Sequence, residues 1–331
     1  MTNPEPDPQE VICTSHDGGA AVEVLTPRDV PLGGPRAMLV RRTLPQRQRT
    51  LIGAWCFVDH YGPDHVADSG GMTVTPHPHT GLQTVSWLFT GAIRHKDSVG
   101  SNALVLPGEV NLMTGGRGIS HSEISTPETD ILHGVQLWVA LPEHARHTEP
   151  TFEHYAPGEL TGDGWHGRVF LGSLLGDTSP VVTHTPLLGA ELHLDAGTTL
   201  DLDVDATFEH GVLVDTGSLT VAGEEVKQGE LAYVAPGCAT LALTAHDDVR
   251  IVLLGGPPFG ESIVMWWNFI GRSHEEIVGY RQEWQDQITR DGAVVVDSQD
   301  VAPGRFGTVI DDHTTPIPAP PMPNVRLRER G

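Results

Sequence analysis

The chain has 331 residues, which is enough for two domains of ordinary size, each with its own core. It carries 43 acidic and 20 basic residues, for a formal net charge of −23, and a surface this negative repels a phosphate backbone. Direct binding to nucleic acid is therefore not expected. No apolar run approaches the ~20 residues of a membrane-spanning helix, and residues 1–10 do not have the pattern of a secretory signal. Three widely separated cysteines indicate a reducing compartment, so a cytoplasmic location is predicted.

Short apolar runs of strand length recur along the chain and are separated by Gly, Pro, Asn or Asp. With 38 glycines and 26 prolines, this pattern is typical of a sandwich or barrel of short strands. The runs that predict strands are 83–89, 103–106, 135–140, 211–215, 218–221, 231–234 and 249–254. The order strand, glycine, short strand, turn, Gly-Glu, strand occurs near 85–115 and again near 211–235. This faint repeat predicts two copies of one barrel unit.

The predicted organisation is all-β with one helix near the end. It consists of an N-terminal arm (1–20), a first barrel domain (21–150), a second barrel domain (151–272), and a C-terminal helix and tail (273–331). Ser273, followed by Glu275 and Glu276, has the pattern of a helix N-cap with acids in the first turn. A helix is therefore expected to begin there and to pack across one of the barrels.

Two pairs of metal-ligand residues stand at strand spacing. His77 and His79 are two residues apart, as are His121 and Glu123, and residues two apart in a strand point to the same face. The two pairs can therefore meet inside one small barrel. Three imidazoles and one carboxylate suit Fe(II), with Mn, Ni, Cu and Zn as alternatives. Four protein ligands leave open positions on the metal, which favours catalysis or exchangeable binding over a closed structural site.

Residues 71–91 resemble the first cupin motif, G-x5-H-x-H-x3-E-x6-G, and residues 107–123 resemble a modified second motif. More specifically, residues 77–123 are similar to the defining segment of the pirin family. The similarity extends to VDHYGP at 58–63, LGGP at 254–257, WNF at 267–269 and RFG at 305–307. The resemblance implies two cupin-type jelly-roll barrels in tandem, with one metal, usually iron, held only in the N-terminal barrel.

The family's ligand positions fall on the same four residues, His77, His79, His121 and Glu123. In the second barrel, the counterpart of the first motif at 207–211 lacks His-x-His, so that barrel is expected to hold no metal. His210 in this stretch is expected to be a loop or half-buried residue.

The first cupin motif has a glutamate where this chain has Gln83, and an amide can be neither a carboxylate ligand nor a base. Glu123 is therefore the only acidic ligand, and the base in a dioxygenase reaction would be Glu123 itself or a solvent group. Weaker candidates for the substrate pocket are Gln83, Met113 and Arg117. The alternatives are an ordinary strand position for Gln83, a place in the core for Met113 and a structural salt bridge for Arg117. Residues 94–97 (RHKD) are expected to be exposed hairpin charges, with the alternative that one of them faces the pocket mouth.

Pirins are associated with quercetin 2,3-dioxygenase chemistry and with redox-sensitive regulation of other proteins, including transcriptional coregulation. The resemblance therefore implies a metal-dependent dioxygenase that acts with O₂ on a flavonol-like or other small oxygen-donor substrate. The alternative is a metal- and redox-dependent regulatory protein that acts through a protein partner. A third hypothesis is a metal that only stabilises the barrel.

Overall fold

The computed structural model describes residues 2–3, 5, 8–13, 22–32 and 38–323. Parts of the predicted N-terminal arm and the end of the predicted tail lie outside the described residues. Within the described part of the chain, no helix is long and apolar enough to cross a membrane. The cytoplasmic location stays a prediction.

Among its described residues, the N-terminal half contains thirteen strands and a one-turn helix, α1 (Val66–Ser69). The strands are β1 (Val11–Cys13), β2 (Val22–Leu25), β3 (Arg28–Leu32), β4 (Met38–Leu44), β5 (Trp55–His65), β6 (Thr73–His79), β7 (Leu82–Thr90), β8 (Ile93–Asp97), β9 (Asn102–Val105), β10 (Val110–Thr114), β11 (Ile119–Ser125), β12 (Ile131–Ala140) and β13 (Thr151–Tyr155).

The C-terminal half contains sixteen strands, one longer helix and a short 3-10 helix, among the residues described. The strands are β14 (Leu160–Gly162), β15 (Trp165–Leu171), β16 (Ser173–Leu174), β17 (Asp177–Thr178), β18 (Leu188–Leu194), β19 (Thr199–Asp203), β20 (Glu209–Thr216), β21 (Ser218–Val221), β22 (Glu224–Lys227), β23 (Leu231–Val234), β24 (Thr240–Ala245), β25 (Val249–Gly256), β26 (Ile263–Trp266), β27 (Phe269–Gly271), β28 (Thr289–Arg290) and β29 (Ala293–Val294). The helices are α2 (His274–Ile288) and η1 (Ser298–Asp300).

Each of the two barrels combines a seven-stranded sheet with a four-stranded sheet. In the first barrel the strand orders are β13-β10-β7-β12-β5-β4-β3 and β6-β11-β8-β9. In the second they are β14-β15-β18-β25-β20-β23-β2 and β19-β24-β21-β22. The same arrangement therefore occurs twice, which confirms the predicted all-β class and the two copies of one barrel unit.

Strand pairing does not follow the predicted domain limits. β2 precedes the first barrel in sequence but pairs with β23 at the edge of the second. β13 begins one residue after the predicted boundary at 150, yet it pairs with β10 of the first barrel. β1, within the predicted arm, pairs with β26. These three strands pair outside the predicted limits, because an edge strand joins whichever sheet offers it unpaired backbone groups. The division into domains stays a prediction.

The C-terminal helix begins where the sequence predicted it. Ser273 is the N-cap of α2, and its Oγ accepts a hydrogen bond from the backbone N–H of Glu276 at 3.2 Å. The buried face of α2 packs against the segment around β26 and β27. The buried side chains of this cluster include Trp266, Trp267, Phe269, Ile277, Tyr280, Trp284 and Phe306.

The two barrels share one hydrophobic core between their seven-stranded sheets. On β7, Val85 and Trp87 point towards the second barrel, and the Trp87 ring stacks on Phe170 with 4.6 Å between ring centroids. The alternate residues of the same strand, Thr84 and Ser86, point into the first barrel. A strand with apolar partners on one side and a polar site on the other explains why both faces of β7 are buried.

A buried ion cluster joins the barrels at the edge of this core. Both Oδ1 contacts of Asp215 in β20 are to first-barrel histidines, His60 Nε2 and His133 Nε2, each at 2.6 Å. Arg250 Nε donates to Asp215 Oδ2 at 2.6 Å. Burial by itself raises the pKa of Asp215, but hydrogen bonds from His133 and His60 hold that pKa far below its ordinary value. The carboxylate therefore stays ionised and binds both domains.

We predict that Asp215→Ala destabilises the protein by about 3–5 kcal/mol, because it leaves buried donors on both barrels without an acceptor. The measurement is the free energy of unfolding from denaturant titration. Asp203→Ala is the matched control, since Asp203 is exposed on β19, and it should change stability by no more than about 0.5 kcal/mol. Equal stability of the two variants would contradict the role of Asp215.

Candidate metal centre

The antiparallel pairing of β6 with β11 brings the predicted histidines together. His121 lies directly opposite His77, and Ile119 lies opposite His79. The imidazole centroid of His121 is 4.3 Å from that of His77 and 5.0 Å from that of His79. All three side chains are fully buried, and their ligand nitrogens lie within 4.8 Å of one another.

Hydrogen bonds orient two of these rings towards a common point. His77 Nδ1 lies 2.9 Å from the carbonyl oxygen of Thr75, and His79 Nδ1 lies 3.2 Å from that of Asn268. A carbonyl oxygen only accepts, so each Nδ1 carries the proton and each Nε2 presents a lone pair. Nε2 of His77, His79 and His121 is buried without a hydrogen-bond partner among the described residues. Buried unpaired nitrogens are rare in proteins, and a metal ion is the partner that suits three converging imidazole nitrogens.

Burial also sets the charge of the cluster. Desolvation, with repulsion by nearby positive charges as a smaller cause, holds the pKa values of His77, His79 and His121 well below the ordinary histidine range. The three imidazoles are therefore neutral at neutral pH. Neutral imidazole is the form that binds a metal ion.

Glu123 lies beside the three histidines without completing a single tight group of four. A β-bulge separates it from His121, so that Glu123 pairs with Val74 on β6. Its carboxylate forms a second, overlapping group with His121 and His95, again within 4.8 Å. Ser86 Oγ lies 3.2 Å from Glu123 Oε1. The structure thus brings all four predicted ligands to one wall of the first barrel, with His121 shared by two groups.

His95 and Asp97 on β8 are site residues that the sequence named only through the alternative that one member of 94–97 faces the pocket mouth. β8 pairs with β11 so that His95 lies opposite Glu123, and Asp97 lies opposite His121. Both side chains are buried, whereas Arg94 is exposed on the other face of the strand. The prediction of exposed hairpin charges is therefore wrong for His95 and Asp97. The sequence signal for an inward position was that His95 and Asp97 are two residues apart, like the two predicted ligand pairs.

The three weaker pocket residues lie in different places. Met113 pairs with Thr84 and is buried on the interior face of the first barrel. Gln83 occupies the opposite face of β7, where its amide donates to Thr114 Oγ1 at 3.0 Å. The side chain of Arg117 is 46% exposed and forms an ion pair with Glu149 at 2.9 Å. These positions agree with the alternatives, an ordinary strand position for Gln83 and a salt bridge for Arg117.

In the second barrel, His210 lies on β20 and is fully buried, so the expectation of a loop or half-buried residue is wrong. Burial lowers its pKa to about 4. Neither ring nitrogen has a hydrogen-bond partner within the described parts of the chain. The absence of a metal from this barrel stays a prediction.

Two jelly-roll barrels in one chain, with a buried histidine cluster in one of them, define a bicupin. The chain belongs to the pirin family. The Pirin family model matches residues 37–139, and the model of the Pirin C-terminal cupin domain matches residues 189–289.

Relatives and solved structures agree with this assignment. A Pseudomonas aeruginosa protein named "Putative quercetin 2,3-dioxygenase" is 42% identical over 269 residues, which cover 81% of this chain and 85% of the relative. The crystal structure of a quercetin 2,3-dioxygenase from Acinetobacter baumannii has a TM-score of 0.83 and 36% identity, covering 93% of this chain and 97% of that one. A bacterial pirin from Escherichia coli, solved in complex with nickel(II), shares the fold at a TM-score of 0.57 and 18% identity, covering 72% of this chain and 99% of that one.

We predict that the metal-free protein loses stability as the pH falls below about 6.5, the ordinary histidine pKa that applies in the unfolded chain. The unfolded chain then takes up protons that the buried cluster does not, at up to about 1.4 kcal/mol per pH unit for each histidine. Denaturant titrations of chelator-treated protein at several pH values measure this slope. His77→Gln should make it shallower, and His144→Gln, at an exposed position, should leave it unchanged. If the slope were the same in His77→Gln as in wild type, the buried, neutral state of His77 would not be the cause of the pH dependence.

Proposed function

We propose that this pirin is a mononuclear iron-dependent dioxygenase of the quercetin 2,3-dioxygenase type, acting on a flavonol-like or other small oxygen-donor substrate. The observation that carries the proposal is the set of three buried Nε2 atoms of His77, His79 and His121, which converge without a hydrogen-bond partner among the described residues. The names of the Pseudomonas and Acinetobacter relatives support the choice of reaction. The reaction itself rests on that likeness, since one fold hosts many activities.

The proposed ligands are His77, His79, His121 and Glu123. Three neutral imidazoles and one carboxylate favour Fe(II), and the same set also suits Mn, Ni, Cu or Zn. A metal bound there would supply a Lewis acid that polarises a substrate oxygen and brings the substrate and O₂ together. The chain's own part is to fix the ligands and to keep bulk water out, which full burial of the histidines does.

Glu123 is the proposed base, because it is the one carboxylate in the ligand set. The Ser86 hydroxyl lies 3.2 Å from Glu123 Oε1 and 2.9 Å from Gln136 Oε1, and its single proton can go to only one of them. Turning the Gln136 amide by 180° lets its NH₂ donate to Ser86, and Ser86 then donates to Glu123. This orientation also provides a partner for Gln136 Nε2, which is buried and otherwise unpaired among the described residues.

The interior face of the seven-stranded sheet supplies the wall on which a flat aromatic substrate would rest. Trp138 stands edge-on to His79, with 5.2 Å between ring centroids, and Met113 lies on the same face two strands away. Apolar and aromatic walls with a few convergent polar groups are typical of small-molecule sites. The substrate would therefore be held by its rings, with its oxygens directed towards the histidines.

The metal is tested first. Protein purified and reconstituted with Fe(II) without oxygen should hold about one metal ion per chain by elemental analysis, because one cluster offers three converging lone pairs. His121→Ala should lose most of it, whereas His144→Ala, at an exposed position, should retain it. Equal metal content in wild type and His121→Ala would contradict the proposed ligands.

The activity is tested on the same preparations. Iron-loaded wild-type protein should consume O₂ in the presence of quercetin, as measured with an oxygen electrode, and His121→Ala should show only the background rate. If wild-type protein consumed O₂ no faster than His121→Ala, quercetin would be ruled out as a substrate. The alternative of metal-gated regulation through a protein partner stays a prediction, and recovery of a partner with metal-loaded but not chelated protein would support it.

A further inference from the structure

We infer that Asp97 and His95 form a positioning chain that fixes which ring nitrogen of His121 carries the proton. This inference rests on the proposed metal site, because its consequence is that His121 presents Nε2 to the metal. It assigns a role to two buried residues that are outside the proposed ligand set.

The three side chains are joined end to end along β8 and β11. His121 Nδ1 lies 3.4 Å from His95 Nδ1, and His95 Nε2 lies 3.2 Å from Asp97 Oδ2. Their exposed fractions are 0% for His121, 2% for His95 and 0% for Asp97, so water does not compete for these contacts. Phe152 stacks on the His95 ring with 4.7 Å between centroids and holds it in this plane.

The Asp97 carboxylate is itself fixed by the backbone. Its Oδ1 accepts hydrogen bonds from the backbone N–H groups of Val99 at 3.0 Å and Ser101 at 2.8 Å. Oδ2 is thereby directed to His95. Since a carboxylate oxygen only accepts, His95 must carry its proton on Nε2. The opposite placement would set a nitrogen lone pair against a carboxylate oxygen at 3.2 Å.

The tautomer of His95 then determines the tautomer of His121. With its proton on Nε2, neutral His95 has a lone pair on Nδ1, and this lone pair accepts from Nδ1–H of His121. His121 is left with its lone pair on Nε2. The carbonyl oxygens of Thr75 and Asn268 impose the same tautomer on His77 and His79. His95 and Asp97 therefore do for His121 what backbone carbonyls do for the other two histidines.

Asp97→Asn reverses this arrangement with almost no change in shape. The two backbone N–H groups keep an oxygen at the Oδ1 position, so the new NH₂ group must occupy the position of Oδ2. It then donates to His95 Nε2, His95 carries its proton on Nδ1, and His121 Nδ1 becomes the acceptor. His121 Nε2 is then protonated and cannot bind a metal without a change of tautomer.

The direct measurement is the tautomer of His121 in metal-free protein, read from long-range ¹H–¹⁵N correlation spectra with ¹⁵N-labelled histidine. We expect an Nε2 lone pair in wild type and Nε2–H in Asp97→Asn. Affinity for Zn(II), measured by chelator competition, should fall about 10- to 100-fold in the variant. Asp130→Asn, the same change at an exposed position, should match wild type in both measurements.

A second pair of variants tests the chain through His95. Gln at position 95 can donate its NH₂ to Asp97 and accept from His121 through its oxygen, so His95→Gln should keep the His121 tautomer and most of the zinc affinity. His95→Leu should lose both. A role limited to packing predicts the reverse, since leucine fills an apolar site at least as well as glutamine.

The outcomes separate this inference from the proposed function. If His121 keeps an Nε2 lone pair in both Asp97→Asn and His95→Leu, and zinc binds to them as to wild type, the positioning chain is wrong. If the tautomers change as expected while wild type binds neither Zn(II) nor Fe(II), the positioning role of Asp97 and His95 is supported and the proposed metal site is wrong.

Discussion

The antiparallel pairing of β6 with β11 is the contact on which the rest of the site depends. It places His121 opposite His77. On its other edge β11 pairs with β8, which places His95 opposite Glu123 and Asp97 opposite His121. A slip of one residue in this register would turn the histidines to the outside of the barrel, because side chains alternate along a strand. The bulge after His121 is the one irregularity in the pairing, and it gives Glu123 a position distinct from that of the histidines.

The second barrel packs against the face of β7 that points away from the metal site. β7 faces the site with Ser86 and faces the second barrel with Trp87, whose indole N–H donates to Glu191 at 2.6 Å. Asp215 adds a charged contact to His60 and His133 at the edge of the same interface. The sheet that supports the site is therefore held on both faces, which limits its freedom to shift relative to the ligand strands.

Control of the histidine tautomers comes from three separate parts of the chain. His77 is oriented by a carbonyl of its own strand, His79 by a carbonyl of Asn268, 189 residues away in sequence, and His121 by a side chain of β8. Because the Asn268 carbonyl belongs to the turn between β26 and β27, the C-terminal segment takes part in the site. The packing of this segment against α2 therefore helps to hold the Asn268 carbonyl in place beside His79.

The sequence by itself determined the period-two spacing of His77 with His79 and of His121 with Glu123, the repeat of short strands, and the cap at Ser273. Each of these is local, since a strand or a helix cap is specified by residues a few positions apart. Only the tertiary structure decided that β2 joins the second barrel and that His95 and Asp97 face inward. It also decided that Gln83 and Arg117 lie away from the cluster. Those outcomes depend on which strands pair and which face of a sheet the second barrel covers, and a sequence pattern with alternating side chains does not say which face becomes the inside.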